Sequence, residues 1–135
     1  MASSKEVNIP QKPPMVMVDR IVASDDVSTT TALLIRGDNI FTENGLFREP
    51  GLIENMAQTA ACSAGLKPGV TDPPTGFIGG IRNLVFQDFP PAGDEIHTKV
   101  TVLHEVFDAT IVQGEVFWGD RTIASCELKI FLLKS

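Results

Sequence analysis

Glu49-Pro50-Gly51-Leu52-Ile53-Glu54-Asn55-Met56-Ala57-Gln58-Thr59-Ala60-Ala61-Cys62-Ser63-Ala64-Gly65 is the stretch on which the fold turns. Pro50 suits the first turn of a helix, where a missing N–H is no loss. From Gly51 onward the composition is helical, and Gly65 with Pro68 supplies the stop. Ala57, Ala60, Ala61 and Ala64 recur at helical spacing and share one face. A face that flat lets a sheet backbone come close, so the helix is expected to be buried. On the same helix Glu54 stands four residues before Gln58, amid Leu-Ile and Met-Ala neighbours. Two readings of Glu54 are open: a first-turn glutamate held by the helix dipole, or a carboxylate kept for chemistry.

Outward from the helix, the chain reads as strands. Upstream, Val16, Val18 and the Ile21-Val22 pair suggest one strand, Ser24-Asp25-Asp26 a turn, and Val27 to Arg36 the hairpin partner. Residues 37–50, with two glycines and several Asx residues, carry loop chemistry. Downstream of a Pro/Gly-rich loop come four apolar stretches: Phe77 to Phe86, Glu95 to Phe107, Ala109 to Trp118 and Thr122 to Leu133. In the second, Ile96, Thr98, Val100, Val102, His104 and Val106 alternate with Glu95, His97, Lys99, Thr101 and Glu105, the period of a half-buried strand. Strand, strand, helix, then four strands is an α+β order, with one long helix on a curved, mostly antiparallel sheet of about six strands. Residues 1–14 read as a polar leader and 15–135 as a single domain.

Composition narrows the function classes. The chain has 135 residues, 17 acidic and 11 basic, and a net charge of −6, which disfavours binding to a polyphosphate such as nucleic acid. Neither Cys62 nor Cys126 sits in a Cys/His cluster, so no metal ligand set is visible. No apolar run reaches the length of a membrane span and the opening residues lack a signal-peptide core. A reduced, cytoplasmic protein is expected, without membrane partner.

Four segments in order resemble the β-hydroxyacyl-acyl-carrier-protein dehydratase family, which has the hotdog fold. They are Pro13-Pro14-Met15-Val16-Met17-Val18-Asp19-Arg20-Ile21, the Glu49–Ala60 helix start with its Glu-x-Met-Ala-Gln, Phe77-Ile78-Gly79-Gly80-Ile81-Arg82-Asn83-Leu84-Val85-Phe86, and Pro91-Ala92-Gly93-Asp94. The resemblance implies a sheet wrapped around a central helix, and a homodimer in which two sheets run on edge to edge. It implies an interface active site fed by a tunnel for an acyl chain on acyl-carrier protein or coenzyme A. The activity implied is removal of water from a 3-hydroxyacyl thioester in fatty-acid or polyene-type lipid metabolism, with no cofactor. A base takes the α-proton, an acid protonates the departing hydroxyl, and a backbone N–H polarises the carbonyl. The carboxylate maps onto Glu54 and the N–H onto Gly51 or Leu52. Phe47, Phe77 and Gly79 are candidates for the tunnel, and Arg48, Arg82 and Lys67 for a basic rim that meets the acidic carrier.

The family's loop histidine is missing from Asp38 to Arg48, and beside the opening Pro-Pro stand Gln11 and Lys12 instead. The chain holds two histidines, both in the strand after Gly93-Asp94: His97 on the charged face, His104 on the valine face, where a core or interface role is expected. Three functions follow: a dehydratase that uses Glu54 with Glu43 or Asn44 from the loop; a thioesterase built on Glu54, Asn44, Gln58 and Thr59; or a non-catalytic acyl-thioester binding subunit.

Overall fold

The helix spans Glu49–Gly65 (α1) in a computed structural model that describes residues 7–66, 69, 71–72 and 75–132. The first six residues of the expected leader, and Lys67, lie outside the described residues. Arg48 is the N-cap, its backbone extended, and Pro50 lies in the first turn. The helix thus begins at Glu49, ahead of the Gly51 start that composition indicates. Glu54 then falls in the second turn, beyond the reach of the dipole, which fades within the first.

The strands follow as β1 (Arg20–Ser24), β2 (Ser28–Leu34), β3 (Thr42–Glu43), β4 (Leu46–Phe47), β5 (Gly76–Phe86), β6 (Glu95–Val106), β7 (Ala109–Trp118) and β8 (Arg121–Leu132). Six of them form one antiparallel sheet in the order β1-β2-β6-β7-β8-β5, and β3 pairs with β4 alone. One helix on a six-stranded antiparallel sheet is the α+β arrangement the sequence predicts. The small β3–β4 hairpin is an addition within the expected loop. Asn44 (φ 53°) and Gly45 (φ 80°) both take the left-handed backbone that a two-residue hairpin turn demands, and Asn-Gly is the pair best able to adopt it.

Leu52 and Met56 of α1 are fully buried against Ile96, Val112, Val116, Ile123 and Leu128 of the sheet. Each such side chain contributes about 1.5–3 kcal/mol by leaving water. The closest approach lies under Met56: a Cβ added to Gly114 of β7 would stand 2.8 Å from its Sδ. The alanine stripe behaves otherwise. Ala57, Ala60, Ala61 and Ala64 are half-buried and line a cavity, since their methyl groups leave space that longer side chains would fill.

Helix side chains also replace a missing strand neighbour. Residues 15–18 were expected within the first strand, yet pairing with β2 starts only at Arg20. Gln58 instead accepts the Met17 N–H at Oε1 (2.6 Å) and donates from Nε2 to the Met15 carbonyl (2.8 Å). Asn55 donates to the Met17 carbonyl (2.8 Å) and its Oδ1 accepts the Thr98 hydroxyl from β6. Thr59 donates to the Asn55 carbonyl (2.8 Å), which leaves Thr31 of β2 to donate to the Thr59 hydroxyl (2.7 Å). These buried polar groups are all partnered, as a polar layer in a core requires.

β6 contains a bulge: the register with β7 shifts between Val102 and His104. The extra residue reverses which side chains point inward. His104 is therefore exposed rather than on the core face its parity predicts, while His97 is half-exposed beside Glu95 at 3.3 Å.

Candidate active site

A cavity of about 510 Å³ lies between α1 and the sheet. The helix contributes Glu54, the four stripe alanines and Ser63; the sheet contributes Val100, Val102, Val112, Ile78, Ile130 and Leu132, with Phe77 at one side. Aliphatic side chains form much of the wall, suited to an acyl chain, while Asp26, Glu54 and Glu105 bring carboxylates to it and Gln11, Ser28, Thr29, Ser63 and Thr110 neutral polar groups. Glu54 carries the charge on the helix side. Its Oε2 accepts a hydrogen bond from Gln58 Nε2 at 3.1 Å, the contact that their spacing of four predicts. Gln58, 1% exposed, is itself held by the Met15 and Met17 backbone, so it fixes one carboxylate oxygen and leaves Oε1 without a hydrogen bond among the described residues.

The remaining candidates are distributed as follows. Phe77 lines the cavity. Gly51 and Leu52 are buried, and both N–H groups donate to the Arg48 carbonyl, at 3.0 and 3.2 Å. Phe47 is fully buried beneath Gly51. Glu43 and Asn44 are exposed on the β3–β4 hairpin and do not line the cavity. Arg48 pairs with Glu49 (3.0 Å) and stacks over Phe89 (4.2 Å), while Arg82 is exposed on β5. Gly79 is exposed on the same strand, covered by the Phe131 ring where a Cβ would stand. Neither histidine lines the cavity. Among the described residues no cluster of His, Cys, Asp or Glu could hold a metal ion, and no helix is long and apolar enough to cross a membrane.

Sequence reading missed most of the cavity wall. Its signal was present as the alanine stripe opposite a strand face of valines, but spacing tells which residues share a face and not how far the facing layer stands. Gln11 also lines the cavity, a residue that the sequence marked only as lacking an imidazole.

Both cysteines are buried outside this chemistry. Burial pushes the Cys62 thiol up to about 12, and burial with the nearby Glu127 charge takes Cys126 up to about 11. Thiolate is the reactive form, so the native protein at pH 8 is expected to resist a thiol reagent such as dithiobis-nitrobenzoate. Both cysteines should react at once in denaturant; rapid labelling of the folded protein is the contrary result.

Comparison with known proteins agrees with this architecture. Among solved structures, "The Dehydratase Heterocomplex ApeI:P from Xenorhabdus doucetiae" is similar with a TM-score of 0.86, at 18% identity, over 94% of this chain and 89% of that one. The E. coli PaaI protein from the phenylacetic acid degradation operon has a TM-score of 0.67, at 13% identity over 82% and 80%. A hypothetical thioesterase with coenzyme A from Streptococcus pneumoniae has a TM-score of 0.67, at 9% identity over 85% of each chain. At such identities the likeness establishes the fold, which is the hotdog. No curated protein sequence matches. The sequence profile of the ApeP-like family, described as ApeP dehydratase, matches residues 4–134. That match spans nearly the whole chain, and the protein belongs to the ApeP-like dehydratase family.

Proposed function

We propose that the protein acts on 3-hydroxyacyl thioesters as a dehydratase, with the acyl chain in the cavity between α1 and the sheet and Glu54 as the acid/base group. One observation carries this reading: a carboxylate oriented by a buried glutamine on the wall of a cavity of about 510 Å³ that is aliphatic over much of its lining. The elimination breaks the α-C–H and β-C–O bonds, forms the 2,3 double bond and releases water, so it is redox-neutral and needs no electron carrier. The free oxygen of Glu54 takes or returns the proton while Gln58 holds the other in place. The Gly51 N–H, held by the Arg48 carbonyl and off the cavity wall of its own chain, enters the proposal as a donor to the thioester oxygen only in a site completed by a second chain. Glu43 and Asn44 enter this proposal only through a second chain, since they lie off the cavity wall of their own.

A second hotdog chain is part of the proposal. β5 is an edge strand of eleven residues with Ile81, Leu84 and Val85 exposed along it. Such an edge is a template for pairing, and the Xenorhabdus structure is described as a heterocomplex. The proposed partner is a second copy of this chain; inactivity of the purified chain alone points instead to a homologous chain that brings the histidine. The acyl carrier is acyl-carrier protein or coenzyme A, and the setting is cytoplasmic lipid metabolism.

The test is to offer the purified chain a 2-enoyl thioester and follow the enoyl absorbance. Hydration is the expected result. Release of free thiol without hydration assigns a thioesterase instead, and binding with neither reaction assigns a non-catalytic subunit. Sizing should give a dimer; a stable monomer with full activity overturns the shared-site arrangement.

The cavity reading makes its own prediction. Ala61→Phe places a ring among the aliphatic wall residues and should weaken a long acyl thioester by about tenfold or more relative to a short one. Unchanged chain-length preference, measured by competition between the two thioesters, counts against the cavity as the acyl site.

A further inference from the structure

Among the described side chains, one buried polar atom has no hydrogen-bond partner: Oε1 of Gln11. It belongs to a residue that lines the same cavity as Glu54. Native proteins rarely bury a carbonyl oxygen unpaired, so each exception calls for an explanation, a functional role among them. Gln11 and Glu54 line the same cavity. The Met15 N–H donates to the Lys12 carbonyl at 2.9 Å, closing the turn that follows Gln11, and the Met15 carbonyl is itself bound by the glutamine that holds Glu54.

From this geometry we infer that Gln11 is the hydroxyl-recognition residue of the cavity: its amide oxygen accepts the O–H of a hydroxylated acyl chain. The inference rests on the acyl-thioester reading of the cavity and assigns the residue that recognises the 3-hydroxyl. An unpaired acceptor rewards a ligand that brings a donor and gives nothing to one that brings only methylene or only a carbonyl oxygen. A hydroxyl that donates to Gln11 keeps its lone pairs free to take a proton from Glu54, so one contact both selects the substrate and orients the leaving group.

Three amide-linked pantetheine ligands of equal chain length decide it, measured by calorimetry on the full chain: 3-hydroxyacyl, 3-oxoacyl and the unsubstituted acyl. The pantetheine arm is common to all three, so its own N–H groups cancel. The wild-type protein is expected to favour the 3-hydroxyacyl ligand by about tenfold over both others, and Gln11→Met to bring that ratio close to one. The apo Gln11→Met protein should unfold at no lower temperature than wild type, because the substitution removes no hydrogen bond. Equal binding of all three ligands to wild type, or tighter binding of the 3-oxoacyl ligand, overturns the inference while leaving the acyl cavity standing. A fall in apo unfolding temperature for Gln11→Met assigns the residue a structural role and overturns it as well. Binding of none of the ligands overturns the acyl-thioester reading, and the inference with it.

Discussion

Glu54→Gln is expected to lower hydration of a 2-enoyl thioester by about 10²–10⁴-fold, the usual contribution of a positioned acid/base group. The substitution is nearly isosteric, and the new amide oxygen can still accept from Gln58 Nε2, as the carboxylate does at 3.1 Å. Binding of the acyl chain depends on the aliphatic wall and should change little, so the loss belongs in kcat rather than KM. Glu54 lies beyond the first turn of α1, where the helix dipole no longer offers a glutamate any advantage. Stability should therefore hold or rise slightly. A variant with full activity removes Glu54 from the chemistry; a variant that unfolds assigns it to the scaffold.

The second large effect is expected at Asn55, one position further along the helix and 1% exposed. Its amide joins three elements: it donates to the Met17 carbonyl and accepts from Thr98 on β6. Asn55→Ala strands a carbonyl and a hydroxyl in the core at about 1–3 kcal/mol each. A loss of about 3 kcal/mol should lower the unfolding temperature by on the order of 10 °C for a chain of this size. Thr98→Val added to Asn55→Ala should recover part of that loss, because the orphaned hydroxyl is removed too. Thermal unfolding followed by circular dichroism measures both, and strict additivity of the two substitutions contradicts the contact.

Particular residues mark how much of this was legible. The Glu54–Gln58 pair follows from helical spacing, which fixes which side chains are neighbours, and the alternation in β6 follows as far as Val102. Beyond it one extra residue inverts the parity, so His104 could not be placed from sequence: a bulge depends on what the facing strand does. Asn44-Gly45 carried a readable hairpin signal that the surrounding loop chemistry concealed. The alanine stripe is legible as one face of a buried helix, but the cavity over it is not, since spacing carries no separation between layers. Gln58 was read as a site amide. Its ties to the Met15 and Met17 backbone show that it also closes the fold, a dual duty invisible until the partner backbone is in place.

The bulge in β6 has a consequence for the far end of the cavity. Val100 and Val102 line the wall, and after the inserted residue Glu105 lines it too, out of step with them. Regular alternation of the same residues from Val102 would turn the His104 imidazole toward the cavity and the Glu105 carboxylate to solvent; the bulge at Leu103 reverses the two. The polarity met by the distal part of a ligand is thus written in strand register as well as in residue choice. The acidic end of the wall therefore depends on an irregularity of β6 as much as on the presence of a glutamate.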